Sequence, residues 1–106
     1  MTPEKLTLAD LEDNLPVPEI LQAEWAADQV MQLFADLSAG ADVQHVQLKS
    51  TNSDGPVTLA EAAAAFAGGL AHAIQIRYAF EQQVWCDTIM PGVPTTKIIR
   101  NRVPEV

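Results

Sequence analysis

Residues 70–90 read Leu-Ala-His-Ala-Ile-Gln-Ile-Arg-Tyr-Ala-Phe-Glu-Gln-Gln-Val-Trp-Cys-Asp-Thr-Ile-Met, and the fold turns on them. From Leu70 the apolar period drops from 3.6 to 2. His72, Ile74, Ile76, Tyr78 and Phe80 alternate with Ala73, Gln75, Arg77 and Ala79, the pattern of a strand with one packed face. Glu81-Gln82-Gln83 is predicted to turn it, and 84–90 to return antiparallel. Two registers are open. A two-residue loop sets Ile76 opposite Asp87 and Arg77 opposite Cys86, and so buries the Asp87 carboxylate among Ile74, Ile76 and Tyr78 with no obvious partner. A three-residue loop sets Arg77 opposite Asp87 and Tyr78 opposite Cys86, pairing opposite charges for roughly 0.2–1 kcal/mol. The run lacks the Gly or Asn that a three-residue loop prefers. Burial of an unpaired charge costs more, so the three-residue register is the expected one.

Downstream, Pro91-Gly92-Val93-Pro94 reads as a second turn and 96–102 as a last strand. Upstream, Thr58-Leu59-Ala60-Glu61 has capping-box spacing and opens a helix over 59–67, burying Leu59, Ala63 and Phe66. Gly68-Gly69 ends it, and the alanine run 62–65 predicts a close helix–helix approach. Asp54-Gly55-Pro56 reads as a turn. Residues 43–49 alternate as a half-buried strand, Val46 and Leu48 inward, His45, Gln47 and Lys49 outward. Ile20, Ala23, Ala27, Val30, Met31, Phe34 and Leu37 recur at helical spacing, so a main helix is predicted over 18–38, with Pro18 at its first position and Gly40 as a left-handed stop. Residues 1–17 read as a leader with partial order.

The fold class is therefore α+β: a small mixed sheet of about four strands with two helices on one face. Strand 43–49 and the strand after Leu70, joined by a helical crossover, would be parallel if adjacent. At 106 residues the chain is one domain over 18–106, able to bury roughly 65 % of its unfolded surface.

Charge is split along the chain. Residues 1–42 hold nine of the fourteen carboxylates against one cation, Lys5, while residues 43–106 are neutral, for a net charge of −8. The remaining cations (Lys49, Arg77, Lys97, Arg100, Arg102) all fall in predicted strands. Net acidity argues against nucleic acid and anionic membranes as bulk partners. One cysteine, Cys86, rules out an intramolecular disulfide and makes a reducing cytoplasm the default compartment. No basic, apolar signal segment opens the sequence, and no apolar run reaches the ~18 residues of a membrane span.

No Cys-x-x-Cys, His-x-x-x-His or His-Glu-x-x-His spacing is present, so no metal site, cofactor or catalytic residue is assigned. In the three-residue register, the sheet face away from the helices carries Trp85 and Ile89, which a solvated face does not need, beside Arg77, Lys49, Gln75 and Asp87. Lys97 and Ile99, or else Arg100 and Arg102, extend it. Trp and Arg are the residue types in which binding energy concentrates. The expected function is a non-catalytic accessory protein binding a protein partner, a second copy included as a homodimer, through that face.

The order short helix, long helix, strand, helix, strands resembles the cone-shaped α+β fold that hosts many small-molecule enzymes and binding proteins. The resemblance lies in element order and implies a second reading, a pocket between sheet and helices near Trp25, Tyr78, Cys86 and His72.

Overall fold

The computed structural model describes residues 20–51 and 53–103. The predicted leader and the first residues of the predicted main helix lie outside them. The chain runs β1 (Ile20–Trp25), α1 (Ala27–Gly40), β2 (Asp42–Ser50), β3 (Asp54–Pro56), α2 (Leu59–Ala67), β4 (Ala71–Phe80), β5 (Gln83–Met90) and β6 (Thr96–Val103). The strands form one sheet in the order β1-β6-β5-β4-β2-β3, antiparallel at every step. Both helices contribute to a single apolar core on one face of it. The α+β class stands; the sheet has six strands where about four were predicted.

The two extra strands come from segments read differently. Residues 20–25 fit a helical period, but Leu21-Gln22-Ala23-Glu24-Trp25 fits a period of 2 equally well. Pairing with β6 over six residue pairs decides for the strand and turns Leu21, Ala23 and Trp25 toward the helices. The helix starts only at Ala27. Its N-cap is Ala26, whose backbone N–H donates to Gln29 Oε1 at 3.0 Å. Val30, Leu33, Phe34 and Leu37 form its buried stripe. Gly40 is the last helical residue and not a left-handed stop; among the described glycines only Gly69 has a positive φ, 72°. Asp54-Gly55-Pro56, read as a turn, pairs with Lys49, Leu48 and Gln47 as an edge strand. Proline is tolerated there because its missing N–H faces outward.

That short strand also explains why β2 and β4 are antiparallel and not parallel. A single helical pass between neighbours restores the chain direction. Here the chain reverses once into β3 and again through α2, and the additional pass inverts β4. The cap and stop of α2 are as predicted. Glu61 N–H donates to Thr58 Oγ1 at 3.0 Å and Thr58 N–H to Glu61 Oε1 at 2.8 Å. Leu70 N–H closes on Ala65 O at 2.9 Å around Gly69. Ala62 is buried where α2 meets the core, and the rings of Phe34 and Phe66 lie 6.1 Å apart.

The decisive correction is the β4–β5 hairpin. Its loop has two residues, Glu81 and Gln82, at φ 51° and 64°, and it pairs Ile76 with Asp87, Arg77 with Cys86 and Tyr78 with Trp85. Two left-handed non-glycine residues cost roughly 2–4 kcal/mol together. The alternative register would exchange Trp85 and Ile89 in the core for Val84, Cys86, Thr88 and Met90, and so forfeit the burial of the large indole. It would also lose the partner that Asp87 finds on β6.

Candidate functional site

That partner is Arg100. Asp87 and Arg100 are registered directly opposite on β5 and β6, with Ile76 next in the row on β4. Arg100 Nε donates to Asp87 Oδ1 and Nη2 to Oδ2, both at 2.8 Å, with both side chains 0 % exposed. The Tyr78 hydroxyl donates to Asp87 Oδ1 at 3.1 Å, and the Tyr78 ring centroid lies 5.9 Å from the guanidinium. Burial, then the negative charge of Asp87, pushes the Tyr78 hydroxyl far above its ordinary range, so it stays a neutral donor. A bidentate pair in so dry a place fixes register, because a slipped strand would strand one charge in hydrocarbon.

The predicted docking residues are thereby divided. Trp85, Ile89 and Asp87 point under the helices and are buried, Trp85 at 2 % exposure. They form no docking surface. Arg77, Lys49 and Gln75 do lie on the open face and are exposed. Lys97 and Ile99 join them there, while Arg100 and Arg102 share the parity of Asp87 and Trp85 on the helix side.

Part of the open face is hydrogen-bonded within itself. His45 Nε2 and Gln47 Oε1 lie 2.9 Å apart, and Gln47 Nε2 donates to Asp54 Oδ1 at 2.8 Å. Lys49 is registered against Asp54 and Lys97 against Glu24. The charge segregation expected from the sequence survives in part. Neither helix carries Lys or Arg, while Asp28, Asp36 and Glu61 lie on them.

The alternative pocket set is dispersed. Trp25 and Tyr78 are buried on the helix side, Cys86 faces the other way, and His72 is exposed with Nε2 3.2 Å from Thr51 Oγ1. Burial, then the charge of Asp87, raises the Cys86 thiol above its usual range, the opposite of nucleophile activation. Among the described residues no three His, Cys, Asp or Glu side chains converge as a metal site. Of the elements behind the cone-fold resemblance, the short leading helix lies outside the described residues, and the long helix gives way there to β1 and a shorter α1.

A surface the sequence did not single out lies at one end of the molecule. The start of α1, the end of α2 and the loop 91–95 enclose a groove of about 530 Å3, lined by Asp28, Met31, Phe66, Val93, Pro94 and Thr96 among others. The large apolar side chains exposed among the described residues are Val93 (98 %), Leu70 (65 %), Met90 (44 %) and Met31 (37 %). Val93 and Met31 line the groove, and Leu70 and Met90 adjoin lining residues in the chain. Met31 and Val93 lie more than sixty residues apart, so only the fold brings them together, while Met90 shares the parity of Cys86 on the open sheet face. For Val93 its place between Gly92 and Pro94 was the available signal; for Met31 there was none.

Among the described residues no helix is long and apolar enough to cross a membrane. Comparison of the chain with protein-family models, with curated proteins and with solved structures finds no significant match.

Proposed function

We propose that the protein is a non-catalytic interaction protein that binds a protein partner at the groove between α1, α2 and the loop 91–95. The observation carrying this reading is the exposure of the apolar Met31 and Val93 on facing walls of that groove, beside Phe66. Scattered surface apolar residues need no explanation, but a group gathered about a concavity marks a contact site. The open sheet face, without Trp85 and Ile89, supports the role less well, since it has lost the large apolar side chains that would anchor a partner.

The groove suits apolar side chains projecting from a peptide segment. Asp28 is the charged side chain in its wall, and the helical layer beside it bears Asp36 and Glu61 with no cation. A partner segment with apolar anchors and flanking Lys or Arg therefore complements it in both shape and charge. The cytoplasm remains the proposed compartment, consistent with the single unpaired thiol of Cys86.

The test is resonance mapping with two short amphipathic peptides, one Leu/Lys and one Leu/Glu. The cationic peptide should perturb Met31, Phe66 and Val93 and leave His45 and Gln75 unchanged, and Val93→Asp should abolish the effect. Equal binding of both peptides, or perturbation centred on Arg77 and Gln75, would overturn the assignment.

A further inference from the structure

The two edges of the sheet are built differently. The β3 edge is three residues long, with a charged Asp54 and with Pro56, which has no N–H to offer. The β1 edge is six residues long, with no proline, no lysine and an unbroken register against β6. Among the described residues no strand lies on its outer side. A cleft of about 400 Å3 is lined by Gln22, Ala23 and Glu24 of β1 and by Lys97 of the neighbouring β6. Among the described residues the β3 edge is short and blocked by proline, whereas the β1 edge, with Glu24 as its one charge, is open.

We propose that β1 pairs antiparallel with β1 of a second copy of this chain, joining two six-stranded sheets across a two-fold axis at Ala23. The site is distinct from the groove and does not depend on the reading given for it. The strand's own chemistry selects the register. In a continuous two-fold sheet, opposed residues lie on the same face, so the axis must pass through a residue pair. An axis at Glu24 would oppose two carboxylates, which is unfavourable. An axis at Gln22 would pair that amide with itself and oppose Glu24 with Ile20 of the second copy, adding nothing to the hydrogen bond Glu24 already accepts from Thr95 Oγ1. The axis at Ala23 sets Gln22 against Glu24 of the second copy twice, each amide donating to a carboxylate. It also sets Leu21 against Trp25 of the second copy on the helix side, and the two alanines together at the centre. Leu21 and Ala23 are only half-buried within one chain, so the pairing extends the core over them.

The contact is short and the two chains each carry −8, so association is weak and strengthens as added salt screens the repulsion.

Sedimentation equilibrium of the full chain tests this, with two substitutions at the exposed Gln22. Gln22→Lys places an ammonium opposite each Glu24 and should tighten the dimer by roughly 2- to 30-fold, whereas Gln22→Glu should loosen it by a similar factor. Circular dichroism melts of both variants should match the parent, since the side chain leaves the core undisturbed. A chain that stays monomeric at its highest soluble concentration, or a dimer that ignores both substitutions or is weakened by both, would overturn the proposal. Val93→Asp should leave the dimer intact, which separates this contact from the groove.

Discussion

Arg100→Met removes the cation from a carboxylate held in the core. Asp87 is 0 % exposed and would keep only the Tyr78 hydroxyl as a hydrogen-bond partner among the described residues. Breaking one side of a buried pair costs about 3–5 kcal/mol, because the remaining charge has neither water nor a counter-ion. A domain of this size is stable by about 5–15 kcal/mol, so the loss takes a large share of the total. With about 4–8 °C lost per kcal/mol, the melting temperature should fall by at least roughly 12 °C. The double variant Asp87→Leu/Arg100→Met removes both charges and should recover most of the loss, since apolar replacements of buried pairs are often neutral or better. Urea titration followed by tryptophan fluorescence reads all three proteins, because Trp85 packs opposite Tyr78 beside the pair. A single variant losing less than about 1 kcal/mol, or a double variant no better than the single, would refute the view that stranded charge sets the cost.

Replacing Gln82, at φ 64°, by glycine should relieve left-handed strain and raise stability by about 1–2 kcal/mol, measured as a higher urea midpoint; no gain would count against the two-residue loop. Glu61 has a lowered pKa, chiefly from the Thr58 backbone hydrogen bond and then its hydroxyl. A depressed folded pKa contributes stability that is complete above the unfolded value of about 4.3 and is lost as pH falls through the folded one, so Glu61→Gln should flatten that acid limb of thermal melts. Cys86, its thiol raised by burial and by Asp87, should react with a disulfide reagent more slowly than free cysteine at neutral pH, and accelerate only in alkali; fast neutral labelling would contradict its placement.

Much of the fold was legible because the deciding interactions are local. Thr58 and Glu61 are three residues apart, and their reciprocal bonds form whatever the rest of the chain does. The inward Val46 and Leu48 and the inward Ile74, Ile76 and Tyr78 follow from alternation within one strand. The stretch 20–25 was not legible in this way, because its residues satisfy both periods and the strand exists only by pairing with the distant β6, from Ile20 with Asn101 to Trp25 with Thr96. Local pattern permits both; pairing selects.

The same logic divides the candidate surfaces. Arg77, Lys49 and Gln75 were placed correctly, since their parity is set within β2 and β4. Trp85, Ile89 and Asp87 were placed on the wrong face, because one unit of hairpin register inverts a whole strand. The sequence by itself determined the α+β class, the capped α2 and which side of β2 and β4 packs, all of them set by short-range periodicity and capping. Only the tertiary structure decided the β5 register and the groove. The first depends on Arg100 meeting Asp87 from another strand, and the second exists only when the ends of two helices and the loop 91–95 are brought together.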